Sequence, residues 1–294
     1  MSWFLAARLK TLPAAIVPVL AGCLLAFQLR GVFSFPLALA TLLGAVAIQI
    51  ATNFFNDVID HDKGTDTAKR LGPTRVTASG LIPRRAVMGA AVLALGVATL
   101  CGLFLFFERG WLILLIGVPS LFLSYGYTGG PFPLAYLGLG ELFVILFFGL
   151  IAVGGTVFVQ LGEIPALAWV LGLQIGFLSS VLIAVNNYRD LVEDRAAGKR
   201  TLAVRFGREA LTIFILFATF QPGLLFRFYP EMPWVDAFES RYTWAGTVFV
   251  IIFSIVFLKA RGTRDVPGWV LGLSALHLVV FLGLMASATG LTSA

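Results

Sequence analysis

The chain contains 294 residues, of which 59% are hydrophobic and only 12% are charged, and its mean hydropathy is +0.94. This composition excludes a water-soluble globular domain and indicates a polytopic membrane protein. The formal net charge of +6 and the pI near 9.6 do not indicate a nucleic-acid partner, because membrane topology accounts for the basic residues.

Long apolar runs without period-2 alternation indicate transmembrane helices, because backbone polar groups in lipid must be satisfied within the segment. We predict one all-α membrane domain over residues 1–294. Its nine predicted transmembrane helices lie at 12–30, 36–58, 84–107, 111–127, 138–160, 166–188, 209–229, 240–259 and 267–290. Cys23 and Cys101 lie within these runs and are predicted to be packing residues.

The distribution of Lys and Arg predicts the orientation, because cytoplasmic loops retain positive charge. With a cytoplasmic N-terminus, all 21 basic residues except Arg30, Arg109, Arg227 and Arg241 fall on the cytoplasmic side. We therefore predict a multi-pass protein with its N-terminus inside, and we assign it to a bacterial plasma (inner) membrane.

Two acidic stretches, 53–66 and 186–194, follow long apolar runs and contain 7 of the 15 carboxylates. Ionisable residues at such positions indicate function. Asn56-x-x-x-Asp60 ends the second predicted helix and Asn186-x-x-x-Asp190 ends the sixth. This echo predicts two four-helix repeats followed by a ninth helix. The acidic ends should face each other across a central cavity that opens to the cytoplasmic side, with site loops at 57–83 and 189–208.

Facing carboxylates repel one another and are costly to desolvate, so the two acidic stretches need a cation. Mg²⁺ is the best candidate, with Mn²⁺ as an alternative, because a hard ion prefers oxygen ligands and bridges carboxylates to phosphates. Four acids are predicted both to bind metal and to be catalytic, and two amides to supplement them: Asp60, Asp66, Asp190 and Asp194, with Asn56 and Asn186. Gly64 is predicted to end the helix, so that Asp66 reaches the site from a loop.

A basic group lies beside each acidic stretch: Lys63, Lys69, Arg70 and Arg75 at the first, and Arg189, Arg195, Lys199 and Arg200 at the second. Adjacent acids and bases fit a metal–diphosphate complex, in which the metal neutralises some phosphate oxygens and Lys or Arg the others. The alternative is that these cations only follow the topology, and we favour it for Arg84, Arg85, Arg205 and Arg208. A diphosphate beside apolar helices with 27 Phe predicts a polyprenyl diphosphate.

These motifs resemble those of the UbiA superfamily of intramembrane aromatic prenyltransferases, which carry two Asp-rich motifs after helices 2 and 6 of nine. Asn56-x-x-x-Asp60 with Asp66, and Asp190-x-x-x-Asp194, stand in those places. Asp66 lies six residues beyond Asp60, instead of the four common in members that act on 4-hydroxybenzoate, and Asp62 lies between them. Which of Asp62 and Asp66 binds metal therefore stays open.

Five segments are similar to the branch that prenylates 1,4-dihydroxy-2-naphthoate: 6–13, 56–67, 72–80, 127–141 and 186–203. The resemblance implies transfer of a polyprenyl group to the ring of that naphthoate with loss of its carboxylate, giving demethylmenaquinol in menaquinone biosynthesis. Residue chemistry and resemblance together predict contacts to diphosphate or acceptor from Asn53, Asn56, Asp57, Lys63, Arg75, Tyr127, Asn186, Asn187, Arg189, Lys199 and Arg200.

Several alternatives stay open at this point. An anionic acceptor could be bound by Arg75 or by Arg189. The turn Gly129-Gly130-Pro131 either lets the backbone approach a flat ring or only reverses the chain. Glu141 is either a site residue or a capping acid. Other aromatic acceptors, such as 4-hydroxybenzoate, homogentisate or a porphyrin, are the second functional hypothesis. A transporter is the third, although the acids lie at helix ends and not at the bilayer midplane.

Overall fold

The structure is a computed structural model, and it describes residues 2–64, 75–130, 133–225, 232, 234–260 and 266–290. Every regular element in these ranges is a helix, which confirms the predicted all-α class. The predicted site residue Asp66 lies outside the described residues, as do Lys69, Arg70 and Pro131.

The helices are numbered here in chain order, and a 3₁₀ turn at Leu9–Thr11 separates the first two. They are α1 (Ser2–Ala7), α2 (Pro13–Arg30), α3 (Phe35–Asp62), α4 (Arg84–Arg109), α5 (Leu112–Gly126), α6 (Leu134–Leu137), α7 (Gly140–Leu161), α8 (Ala166–Arg189), α9 (Leu191–Ala196), α10 (Leu202–Phe220), α11 (Pro222–Leu225), α12 (Val235–Lys259) and α13 (Trp269–Ala288). Within α7, Ile145–Ile151 is π-helical.

Seven of the described helices are long and apolar enough to cross a membrane, namely α2, α3, α4, α7, α8, α12 and α13. The predicted span 111–127 corresponds to α5, which is apolar but has only 15 residues. The predicted span 209–229 overlaps α10, which is interrupted at Gly207, where φ is 83°. The multi-pass helical architecture is confirmed, and nine crossings stay a prediction.

Helix α8 lies at the centre of the bundle. It contributes Leu171 and Ile175 to a core shared with α2, α7, α12 and α13, and Val181 and Val185 to a second core with α10. Helices α7 and α8 approach closely, because a Cβ on Gly149 would lie only 2.6 Å from the Cα of Gly176. Small residues of this kind allow membrane helices to pack backbone against backbone.

The outer surface of the bundle is apolar. Large side chains there are strongly exposed, including Leu93 (71%), Phe107 (81%), Ile213 (70%) and Trp244 (77%). Exposure of such side chains over several helices is unfavourable in water but matches contact with lipid tails. The outer surface therefore agrees with the hydropathy of the sequence.

One end of the bundle collects the predicted site residues. Helices α3, α5 and α8 end there, and α4, α7 and α10 begin there. This end, called the acidic end below, contains Asp60, Asp190 and Asp194, all of them buried.

An apolar cavity of about 430 Å³ runs between α2, α3, α4, α5 and α7. Tyr127 and Leu134 line it towards the acidic end, and Leu105 and Val159 line it towards the opposite end of α4 and α7. The π-helical segment of α7 contributes Phe147. The fold therefore places an elongated apolar space directly beneath the charged residues.

Candidate active site

The acidic ends of α3 and α8–α9 meet around one ammonium group. Lys199 Nζ lies 3.8 Å from Asp60 Oδ1 and 3.6 Å from Asp194 Oδ1. The two carboxylate side chains are only 5% and 11% exposed, so both need a partner of opposite charge. The structure thus brings together one predicted metal ligand from each acidic stretch.

Asp60 is surrounded by donors from three separate segments. Arg75 Nη2 donates to Asp60 Oδ2 at 3.0 Å, and the hydroxyl of Tyr136 donates to Asp60 Oδ1 at 3.3 Å. With the Lys199 ammonium nearby, the carboxylate has charge-assisted contacts on both of its oxygens. Arg75 and Lys199, both predicted to bind substrate, therefore lie at the same carboxylate.

Asp190 lies at the junction between α8 and α9 and forms a fork with its chain neighbour. Arg189 Nε and Nη2 donate to the two oxygens of Asp190 at 2.6 and 2.9 Å. The Asp194 amide donates to the Asp190 carbonyl at 2.7 Å, which forms the first turn of α9. Asp190 and Asp194 therefore lie one helical turn apart.

Asp57 anchors the segment that carries Arg75. Its two oxygens accept hydrogen bonds from the backbone amides of Val76, at 3.2 Å, and Thr77, at 2.9 Å. A carboxylate that is 2% exposed needs such donors. These contacts give Asp57 a positioning role for the loop, and its predicted contact to substrate stays a prediction.

Asn53 also has structural partners. Its Nδ2 donates to the Ala7 carbonyl at 2.9 Å and to Thr11 Oγ1 at 3.1 Å, which ties the N-terminal segment to α3. The residue is 3% exposed and lies two helical turns before Asp60. Asn53 therefore has a structural role here, and its predicted contact to substrate stays a prediction.

The remaining amides connect the acidic end to its neighbours. Thr128 donates its hydroxyl proton to Asn56 Oδ1, and Lys63 Nζ donates to the Thr128 carbonyl at 2.7 Å. Asn187 Nδ2 donates to Glu141 Oε1 at 2.8 Å. Asn186 is half-buried, and its carbonyl accepts from the Asp190 amide at 2.9 Å.

Tyr136, on the short helix α6, was not among the predicted site residues. The ammonium of Lys63 lies 4.1 Å from the centroid of its ring and that of Lys199 lies 5.1 Å away. Partial burial lowers the pKa of Lys63, an effect that Asp60 opposes and Lys199 reinforces. The only sequence signal was an aromatic residue between the Gly–Pro turn and Gly138, in a segment otherwise predicted to join two helices.

Helix α6 is fixed to the loop that follows α9. The Arg200 amide donates to the Tyr136 carbonyl at 2.9 Å, and Arg205 Nη2 donates to the Leu137 carbonyl at 2.7 Å. Gly138 has φ +72°, and a Cβ there would collide with the Arg200 carbonyl. Only glycine permits this close approach.

Asp62 forms an exposed ion pair with Arg84, with Nη2 2.6 Å from Oδ2. Arg84 was expected to follow the topology and not the substrate, and this pairing outside the buried site agrees with that expectation. Because Asp66 lies outside the described residues, the choice between Asp62 and Asp66 as metal ligand stays a prediction.

The donor set fits a hard divalent cation. Within the described part of the chain no three Asp, Glu, His or Cys side chains form a ready metal cluster. Two buried carboxylates nevertheless share the charge of Lys199, so their oxygens already converge on one positive centre. Oxygen donors of this type suit Mg²⁺ and not a soft metal.

The fold and the site together define a helical membrane protein with a charged pocket above an apolar cavity. The chain belongs to the UbiA prenyltransferase family, which matches residues 15–271. It is therefore a prenyltransferase by family.

Curated relatives carry a more specific name. The chain is 41% identical over 206 residues to 1,4-dihydroxy-2-naphthoate octaprenyltransferase of Mycobacterium leprae, covering 70% of this chain and 69% of the relative. It is 35% identical over 274 residues to the Bacillus subtilis protein of the same name, covering 93% and 83%.

Solved structures share the fold. A UbiA homolog from Archaeoglobus fulgidus bound to DMAPP and Mg²⁺ superposes with a TM-score of 0.70 at 14% identity and covers 99% of each chain. The apo structure of a UbiA homolog from Aeropyrum pernix has a TM-score of 0.68 at 14% identity, with 98% and 99% coverage.

Proposed function

We propose that this chain transfers a polyprenyl group from polyprenyl diphosphate to the ring of 1,4-dihydroxy-2-naphthoate, with loss of carbon dioxide, in menaquinone biosynthesis. The observation that carries the proposal is the buried Asp60–Lys199–Asp194 group at the head of an apolar cavity. The names of relatives at 35–41% identity support the acceptor.

The diphosphate would lie among the cations of the acidic end. Lys63 and Lys199, together with Arg75, surround Asp60 and supply charge for phosphate oxygens. Mg²⁺, or Mn²⁺ in its place, would be held by Asp60, Asp194, Asp190 and Asp66 and would neutralise the departing diphosphate. Asp57 would keep the segment that carries Arg75 in place for the substrate, through its hydrogen bonds to the amides of Val76 and Thr77.

The prenyl tail would occupy the apolar cavity. Its volume of about 430 Å³ falls within the usual range for small-molecule sites, roughly 300–1,000 Å³. Tyr127 lines the cavity, and its hydroxyl lies close to the backbone of Gly140, where a Cβ would be 2.9 Å away. The reactive allylic carbon would therefore lie near Tyr127, where apolar walls exclude water from the cationic centre.

The acceptor ring would approach between α7 and α8. Glu141 is 2% exposed, and its Oε2 has no hydrogen-bond partner among the described residues, while Oε1 is held by Asn187. A buried free acceptor atom needs a donor, and a ring hydroxyl of the naphthoate supplies one. This reasoning favours Glu141 as a site residue over a capping acid.

The transfer balances without a further reactant. The allylic C–O bond breaks and its electron pair leaves with diphosphate, while the ring carbon that bears the carboxylate forms the new C–C bond. Loss of carbon dioxide returns the electron pair of the broken C–C bond to the ring. The chain's own residues position both partners and exclude water.

The positive-inside distribution supports nine crossings, a cytoplasmic N-terminus and a site on the cytoplasmic side of a bacterial plasma membrane. This topology is tested with the variants Ser2→Cys and Ser240→Cys, whose new thiols are labelled in intact cells and in inverted vesicles. Labelling of Ser2 from outside would refute it.

The function is tested with purified protein, Mg²⁺, labelled polyprenyl diphosphate and a panel of acceptors. With 1,4-dihydroxy-2-naphthoate as the acceptor, we expect prenylated naphthol, and one molecule of carbon dioxide for each diphosphate that is released. Product only from 4-hydroxybenzoate, homogentisate or a porphyrin would reassign the acceptor. Movement of substrate across liposomes without consumption of prenyl diphosphate would reject an enzyme altogether.

A further inference from the structure

Tyr136 connects the two halves of the acidic end through a single side chain. Lys63 follows the acidic end of α3, and Lys199 follows α9, yet both ammonium groups lie over the Tyr136 ring, at 4.1 and 5.1 Å from its centroid. The phenol hydroxyl also donates to Asp60 at 3.3 Å. Three charged groups of the site therefore share one aromatic residue.

We propose that Tyr136 is a positioning residue for the diphosphate, which holds Lys63 and Lys199 where both reach the same phosphate group. The inference rests on the proposed function, since it assumes that these lysines bind diphosphate. Two ammonium groups repel each other, and the ring face attracts both of them. An aliphatic side chain of similar size would fill the same space without this attraction.

The surroundings of Tyr136 are suited to positioning. Its carbonyl accepts from the Arg200 amide at 2.9 Å, directly after Lys199 in the chain. The Ala135 amide donates to the Tyr127 carbonyl at 2.9 Å, which ties α6 to the end of α5 above the cavity. The ring is thereby fixed relative to both the charged group and the cavity.

Tyr136 is not explained as a core residue. It is half-buried and contributes to none of the four hydrophobic clusters formed by the described residues. Among the described residues, the Lys63 ammonium donates one of its three protons, to the Thr128 carbonyl. These contacts hold Lys63 in position without using all three of its protons on described residues.

The test measures binding of inorganic pyrophosphate in Mg²⁺ buffer to the full chain, by displacement of labelled prenyl diphosphate. Two cation–π contacts predict that Tyr136→Leu weakens pyrophosphate binding about 5- to 30-fold. Tyr136→Phe should stay within about threefold of the wild type, because the ring remains. Tyr125→Leu is the matched control: this tyrosine packs on Phe55, is 43% exposed, and should bind pyrophosphate as the wild type does.

A double-mutant cycle separates positioning from simple packing. If Tyr136 acts through Lys63, then Lys63→Met should weaken binding much less in the Tyr136→Leu background than in the wild type. The KM for prenyl diphosphate should rise while the KM for the naphthoate stays constant. Should Tyr136→Leu be unstable in detergent, Tyr136→Gln provides a second variant without the ring.

Wild-type pyrophosphate affinity in the ring-free variants, or additive effects in the cycle, would overturn the inference. A failure of the proposed function would look different. The wild type would then bind pyrophosphate, and Tyr136→Leu would weaken that binding, but no prenylated naphthol would form.

Discussion

Replacing Asp57 by alanine tests how the loop that carries Arg75 is held. Asp57 accepts hydrogen bonds from the amides of Val76 and Thr77, at 3.2 and 2.9 Å, in a site where the carboxylate is 2% exposed. Each bond to a charged group contributes about 1.5–3 kcal/mol, so the pair contributes about 3–6 kcal/mol in place. Because the freed amides can bind water when the loop opens, we expect the lower value. The free energy of opening this loop should therefore fall by about 3 kcal/mol in Asp57→Ala.

The assay is hydrogen exchange of the peptide 75–82, followed by mass spectrometry. A loss of about 3 kcal/mol predicts roughly a hundredfold faster exchange in Asp57→Ala, and Asp57→Asn, which keeps one oxygen acceptor, should lie between the two. The peptide 166–189 in the centre of the bundle should exchange as in the wild type. Unchanged exchange of peptide 75–82 in Asp57→Ala would refute the anchor.

Three further predictions concern other parts of the acidic end. Gly138→Ala places a Cβ against the Arg200 carbonyl and should lower kcat/KM at least about tenfold. In the control Gly162→Ala, where φ is +80° and no atom lies within 4 Å of the new Cβ, stability should fall only by the backbone strain of about 1–2 kcal/mol. Equal activity of the two variants would contradict the docking of α6. Arg84→Ala removes an exposed ion pair with Asp62, and it should leave both the melting temperature and the turnover rate near the wild-type values. A large loss of turnover would place Arg84 in the site. Removal of divalent cations with EDTA should abolish turnover and added Mg²⁺ should restore it, and full turnover in EDTA would exclude a metal-dependent reaction.

The sequence predicted the long helices and the positions of the acids well. Apolar length is a local property, so α3 and α8 could be placed from hydropathy alone. Asp57 and Asp60 are three residues apart and lie on one helical face, since both carboxylates contact the segment 75–77. What spacing could not reveal was that one acid holds backbone and the other holds Arg75.

Contacts between distant loops left no periodic signal. Tyr136 contacts Asp60 across 76 positions, and nothing in the sequence distinguishes it from the other aromatic residues of the chain. The meeting of Lys199 with both acidic stretches likewise depends on how α6 docks against the loop after α9. The predicted span began at residue 209, just after the break at Gly207, and it did not include the helical segment 202–206, because the charged residues around it interrupt the apolar run.

The central claim is that Asp60 and Asp194 form one charged site for the diphosphate. The most direct measurement is kcat/KM for labelled polyprenyl diphosphate with 1,4-dihydroxy-2-naphthoate in Asp60→Asn, Asp194→Asn and the control Asp236→Asn, whose residue is exposed in the first turn of α12. We predict that both site variants insert and melt as the wild type does but lose at least about a hundredfold in kcat/KM, a loss in transition-state stabilisation of about 2.7 kcal/mol. Asp236→Asn should match the wild type. Wild-type kcat/KM in either Asp60→Asn or Asp194→Asn would contradict the claim.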